Sequence, residues 1–568
     1  MYFQNSLGEL MVRKISMLII LIMIISGCGE NAMEKKFRTF VAEHVEKIKP
    51  LMKQWNLNYW NASLTGKKED FDKAAEFELN IRTIYSDTGN FAFIKQLKES
   101  DQIKNPLLKR HLDLLYNEYL RNQIEPDILK QIVEKSTAVE KKFNVFRGKI
   151  GNREITDNEI KEILKKETDS TKRRDAWLAS KQVGKEVAGD LIELIKLRNQ
   201  SAQKLGFENY YLMSLSLAEQ DIDELVRIFN ELADLTDKPF VTLKAELDSI
   251  LADKYGIGPE GMMPWHYHDP FFQEGPMVYE VNLDKYFENQ NVKELAQRFY
   301  EGIDLTVEDI LERSDLYEKE GKNPHAYCIS IDRLEDVRIL ANIKNDEYWM
   351  ETMLHELGHA VYDKYIDGGL PFLLREPSHI FTTEAIAMFF GRLSRNAYWL
   401  QNMVGLNNDE QDEIANVVQK NLRLRQLIFA RWCQVMFHFE QELYKNPDQD
   451  LNTLWWELVE KYQQVKRPRE RTEPDWAAKI HFTSSPAYYH NYMLGELLAS
   501  QLHAYIVKNN FKLDADVGIS YVNEKTVGAY LKNRIFSVGT KYPWNEMIRR
   551  ATGEYLTPKY FVDQFVVQ

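Results

Sequence analysis

The sequence predicts a mainly α-helical protein built as one large unit. Three observations predict it. Apolar residues recur at spacings of three and four over long stretches, the period of a helix with one buried face. Strand signals are scarce. No Gly/Ser-rich or Pro-rich tract, repeat or low-complexity run interrupts the chain, although 568 residues suggest several domains by length alone. With 44% hydrophobic and 28% charged residues, there is ample material for a core.

Taken in order, the first helical pattern runs from 34 to 64, where Phe37, Phe40, Val41, Ile48, Leu51, Trp55 and Tyr59 share one stripe. Further patterns cover 70–85, 106–121, 126–147, 157–166, 170–205, 221–255, 409–443, 451–464 and 485–507, and others fill the C-terminal stretches. The best strand signal is "AYCISI" at 326–331, followed by "VRILANI" at 337–343. Both are rich in β-branched residues and are joined by the polar "DRLED". This predicts a hairpin. An edge strand of that kind can hold an extended peptide by backbone pairing.

The N-terminus differs from the rest. Met11 to Lys14 is short and basic, and Ile15 to Ile25 is apolar but too short to span a bilayer. "ISGC" follows, ending at Cys28. Small residues ahead of a cysteine resemble the bacterial lipobox, which implies cleavage before Cys28 and lipidation of its thiol. The expected organisation is an upstream extension and signal peptide over 1–27, a short tether over 28–34 and a catalytic domain over 35–568. The expected location is the bacterial cell envelope, facing the periplasm, with membrane contact only through Cys28. A net charge of −13 without a basic stripe argues against a nucleic-acid partner. Cys328 and Cys433 are too few for a disulfide framework and read as buried thiols.

The chemistry concentrates at "MLHELGHAVYD", residues 353–363. On a helix, positions i and i+4 share a face, so His355 and His359 can hold one metal ion. Glu356 stands about 100° round from His355, placed to take a proton from water rather than to ligate. Asn345 or Asp346 can cap this helix. Catalytic zinc usually takes three protein ligands. Glu384, in the apolar "FTTEAIAMFF", is the third candidate, since a glutamate among such neighbours must be solvated, paired or metal-bound.

H-E-x-x-H followed by E-A-I at this distance resembles the angiotensin-converting enzyme family and, more loosely, the thimet oligopeptidase family. Other segments match in order: "WNLNYWNASLT" at 55–65, "AYCISI", and "KIHFTSSPAYYHNY" at 479–492. The resemblance implies a two-lobed α-helical peptidase with a deep central cleft, an N-terminal helical lid and the hairpin beside the zinc helix. It implies one zinc ion on His355, His359 and Glu384, with Glu356 as general base. It implies that His481 and Tyr492 stabilise the oxyanion. Lys479 and Tyr489 match groups that hold a substrate's C-terminal carboxylate, and Cys328, Ile329 and Ser330 lie in the substrate-binding strand.

The chain also departs from that pattern. A one-residue insertion lets Tyr488 compete with Tyr489. Met388 stands where an aspartate usually supports the site, and Ile329 where a histidine usually follows the strand cysteine. Asn491 replaces the arginine associated with chloride. The carboxylate-pocket glutamine has no clear counterpart near "MMPWHYHDPFF", where His266 and His268 stand. The expected function is zinc-dependent hydrolysis of short peptides by a monomer, releasing C-terminal dipeptides. The alternatives are an oligopeptidase that cuts internally and a zinc-binding peptide receptor without turnover.

Overall fold

The computed structural model describes residues 31–279, 281–513 and 519–566. The expected signal peptide and Cys28 lie outside the described residues. Among the described residues, no helix is long and apolar enough to cross a membrane.

The chain is mainly α. It opens with α1 (Ala32–Thr65), α2 (Lys68–Tyr85), α3 (Thr88–Ser100), α4 (Pro106–Arg121) and α5 (Pro126–Val145). A small hairpin, β1 (Gly148–Ile150) and β2 (Arg153–Ile155), precedes α6 (Asp157–Lys166), α7 (Ser170–Lys204), α8 (Tyr210–Leu217) and α9 (Ile222–Tyr255). Then come α10 (Val292–Gly302), α11 (Glu308–Arg313) and a second hairpin, β3 (Tyr327–Ser330) and β4 (Val337–Leu340). The metal-motif helix is α12 (Glu347–Lys364), followed by α13 (Ile380–Gly391), α14 (Ala397–Val404), α15 (Asn408–Lys445) and α16 (Leu451–Gln463). The chain finishes with α17 (His481–Ser484), α18 (His490–Ile506), α19 (Lys525–Leu531), α20 (Trp544–Thr552) and α21 (Lys559–Phe565).

Local chemistry sets the boundaries. Asn31 caps α1 by accepting from the Glu34 N–H at 2.8 Å, and Gly66 ends it in the left-handed region at φ 65°. Asp346, not Asn345, caps α12, accepting from the Trp349 N–H at 2.8 Å. The predicted single helix over 485–507 is broken. Pro486 has no N–H to donate, and Ala487 sits at φ 54°, so α18 begins only at His490. Helices α3, α8, α10, α11 and α14 and the β1–β2 hairpin went unpredicted; the shortest of them carry too few residues to show a period.

Two cores organise the molecule. The larger runs through α5–α21 and includes the apolar faces of α12 and α13. The smaller joins α1, α3 and α4, with Phe37, Ile48, Ile94 and Leu112, and reaches Phe372 and Leu373. A satellite cluster of Trp60, Ile331 and Leu340 fastens the C-terminal part of α1 onto the β3–β4 hairpin. The first helix thus links the N-terminal core to the strand beside the metal motif.

Candidate functional site

Helix α12 presents His355, Glu356 and His359 toward α13, which carries Glu384. The two helices approach closely at Gly358. A Cβ there would stand 2.7 Å from the Ala387 Cα, so glycine is what lets them touch. The imidazole Nε2 atoms of His355 and His359 lie 3.3 Å apart, and each is 3.8 Å from Glu384 Oε2. One ligand atom from each of the three lies within 4.8 Å of the others. The structure therefore brings the three predicted ligands together.

The donor set fits zinc. Burial lowers the His355 pKa to about 4 and holds His359 well below its ordinary value, so both rings are neutral and have a lone pair to give. Burial raises Glu384 to about 7, a carboxyl that among the described residues has no ion pair with a lysine or arginine. Two neutral imidazoles and one uncompensated carboxylate are a gluzincin-type ligand set. His359 is also fixed from behind: its Nδ1 lies 2.7 Å from Thr383 Oγ1. That contact leaves Nε2 facing the other ligands. Thr383 is thus a supporting residue that the sequence reading did not place in the site. The cap of α13 is His379, which accepts from the Phe381 N–H.

Glu356 is buried. Desolvation, and next the charge of Glu384, push its carboxyl up to about 8, while the Cys328 backbone opposes the rise. Cys328 itself is half-buried, and burial holds its thiol far above the ordinary range, so it is not a nucleophile.

The 479–492 segment forms a wall that meets α13 through the start of α18. The Lys479 ammonium donates to Gln273 Oε1 at 2.5 Å and lies 5.2–5.4 Å from the ring centroids of Phe271, Trp432 and Tyr489. Burial lowers its pKa to about 8. The expectation that this region has no glutamine is corrected here: Gln273 lies just beyond "MMPWHYHDPFF", brought in by the turn that Asp269 caps at the Phe271, Gln273 and Glu274 N–H groups. His266 and His268 point elsewhere: His266 Nε2 pairs with Ser170 Oγ at 2.7 Å, and His268 Nδ1 accepts from the Met277 N–H.

The tyrosines divide between the two ends of the wall. Tyr489 accepts from the Trp432 indole N–H at 2.7 Å and packs on Lys479. Tyr488 and Tyr492 instead feel the charge of Glu384, which after burial is the next cause of their raised pKa values. Tyr488 therefore belongs to the metal side, a role the sequence reading did not give it. His481 stacks edge-on to Tyr489 with centroids 5.0 Å apart, and its Nδ1 is buried with no protein partner. Arg198 of α7 holds this wall by donating to the Phe482 and Thr483 carbonyls at 2.9 and 2.6 Å. Glu440 of α15 accepts from the N–H of the left-handed Ala487 at 2.8 Å. Asn491 is buried and accepts from Gln220 at 2.8 Å.

Strand β3 needs one correction. Its antiparallel register with β4 pairs Ile329 with Arg338, and Ile331 donates to the Asp336 carbonyl at 2.7 Å. Backbone groups alternate in direction along a strand. Those of Ile329 are therefore spent on β4, and its side chain packs with Trp60. Only Cys328 and Ser330 turn their backbone outward.

Comparison with known proteins agrees with the site. Residues 163–567 match Peptidase family M3, and residues 31–268 match the family described as angiotensin-converting enzyme. The chain is 24% identical over 405 residues to thermostable carboxypeptidase 1 of Pyrococcus furiosus, covering 66% of this chain and 72% of that one. It is 22% identical over 431 residues to the angiotensin-converting enzyme of Theromyzon tessulatum, covering 70% and 68%. An inactive angiotensin-converting enzyme-related protein of Caenorhabditis elegans is 20% identical over 366 residues, 57% of this chain and 40% of that one. With the M3 match spanning most of its length and the angiotensin-converting enzyme match covering its N-terminal part, this chain is a zinc metallopeptidase that belongs to peptidase family M3.

Proposed function

We propose that this enzyme removes dipeptides from the free C-termini of short peptides. The observation that carries this reading is Lys479. A buried ammonium ringed by three aromatic side chains donates to a neutral amide and, among the described residues, makes no direct ion pair, although the charges of Asp269 and Glu274 reach it; it is placed to take an anion. A peptide's terminal carboxylate supplies that anion, with Tyr489 and Gln273 beside it. The relative in Pyrococcus furiosus is named a carboxypeptidase, which agrees with C-terminal attack.

His355, His359 and Glu384 are the residues that would hold the zinc. When bound, zinc supplies Lewis acidity and lowers the pKa of water to about 7. Glu356 takes the proton of the attacking water and passes it to the leaving amine. Tyr492 and the His481 imidazole donate to the oxyanion as it develops. Thr383 keeps the His359 ring oriented. Retention of a base and two oxyanion donors argues against a receptor that only binds. Internal cleavage is the second reading, because the match to family M3 spans the metal residues while the match to angiotensin-converting enzyme ends before them. We also propose the lipid anchor at Cys28, tested by membrane fractionation of Cys28→Ser.

The test is a matched pair of pentapeptides, free acid and C-terminal amide, with products identified by mass. The expected result is dipeptide release from the acid, with the amide slower by about 30- to 4,000-fold, the range for stranding one partner of a buried charge pair. Equal rates, or cuts scattered along the chain, would establish internal cleavage instead.

A further inference from the structure

The outer edge of β3 is the place where an extended substrate can pair, and α1 already occupies part of it. The register and the Ile331 bond leave four outward backbone groups, the N–H and C=O of Cys328 and of Ser330. Three further contacts agree with that geometry. The Cys328 backbone faces Glu356, the Ser330 carbonyl faces α1, and the far edge of β4 is taken by Asp315, which donates to the Ile339 carbonyl at 3.0 Å. β3 is thus the one open edge of this hairpin among the described residues.

Asn56 closes one end of it. Its side-chain amide donates to the Ser330 carbonyl at 3.0 Å and to the Ile331 carbonyl at 3.2 Å. The contact is built rather than incidental. Lys53 pairs with Asp332 at 3.3 Å one turn earlier on α1, Tyr59 packs on Tyr327, and buried Trp60 packs beneath the strand. Among the described residues, the Cys328 C=O and the Ser330 N–H take no part in the hairpin ladder or in the contact with α1.

We propose that Asn56 is a specificity-determining residue that ends the substrate-pairing edge at Ser330 and so limits how far the N-terminal side of a peptide is gripped. The inference rests on the reading that Lys479 holds the peptide's C-terminus, which leaves the N-terminal side to β3. The peptide then runs from Ser330 toward Cys328 and Glu356, antiparallel to the strand. The residue opposite Cys328 donates its N–H to the Cys328 carbonyl. The residue two places earlier accepts from the Ser330 N–H, but its own N–H finds the Ser330 carbonyl already taken by Asn56. With that carbonyl taken, backbone pairing stops at this residue, and peptide preceding it gains no further bond from β3. The substrate class is therefore short peptides gripped, on the N-terminal side, no further than opposite Ser330.

The experiment is an N-methyl scan of one cleaved peptide, with a ladder of N-terminally extended peptides, on zinc-loaded wild type, Asn56→Ala and Asn56→Ser. Wild type should lose kcat/KM at a single N–H on the N-terminal side of the cut. Both variants should lose it at two, spaced two residues apart, and the extended peptides should gain about 2- to 12-fold, the worth of one hydrogen bond. Identical scans and ladders in all three proteins would overturn the proposal. Product masses judge the C-terminal register separately. A cut elsewhere than two residues from the C-terminus would overturn the dipeptide reading and leave the scan to decide on Asn56.

Discussion

Lys479 and Gln273, 206 positions apart in the chain, meet in a hydrogen bond of 2.5 Å. Gln273 is a neutral acceptor, and the charges of Asp269 and Glu274 favour the protonated ammonium. Burial has lowered its pKa to about 8. The ammonium is charged below that pH and neutral above it. The expected pH profile follows: kcat/KM for free-acid peptides falls up to tenfold per unit above about pH 8, while the profile for amidated peptides lacks this limb. Gln273→Glu should raise KM for free-acid peptides, because a carboxylate then occupies the ammonium. Parallel profiles for acid and amide would remove Lys479 from substrate binding.

Glu356 and Glu384 are separable by metal content. Glu356→Gln should keep about one zinc per chain and lose about 10²- to 10⁴-fold in turnover, the range for a general acid–base group. Glu384→Gln should lose zinc to a competing chelator at lower concentration than wild type. Elemental analysis and a chelator titration measure both. Normal turnover by Glu356→Gln would place the base elsewhere.

Thr383 supports His359 from behind the metal side. Thr383→Val removes the hydroxyl while keeping the branched shape. Zinc affinity should fall about 10- to 100-fold, as for other groups that orient a ligand. Thr383→Ser should restore most of it. A valine variant that competes with chelator as well as wild type does would make the contact structurally incidental.

Tyr492 and Tyr488 both lie in the field of Glu384. Tyr492→Phe should lower kcat about 10²- to 10³-fold with little change in KM, as expected when one oxyanion donor is lost. Tyr489→Phe should instead act on KM, because Tyr489 packs on Lys479. If Tyr488→Phe gives the kcat signature and Tyr492→Phe does not, the oxyanion donor is Tyr488.

The sequence by itself determined the helices with long apolar stripes and singled out the three candidate metal ligands that the structure brings together. Both are matters of local sequence: His355 and His359 share a face wherever α12 sits, and a glutamate among "FTTEAIAMFF" must be solvated, paired or metal-bound wherever α13 packs. The β3–β4 hairpin was legible from its β-branched runs. The groups around the substrate were not, because their meaning depends on which distant backbone they reach. Gln273 is an ordinary loop glutamine until the Asp269 turn carries it to Lys479. Thr383 is an ordinary helix threonine until α12 crosses α13 at Gly358. Tyr488 and Tyr489 are equivalent in sequence, and the left-handed Ala487 decides which faces the zinc ligands and which faces Lys479. Asn56 is one polar residue on a long helix until Trp60 seats that helix on β3. Local periodicity is written in neighbouring residues, whereas these contacts form only when separate helices pack, and tertiary packing alone selects them.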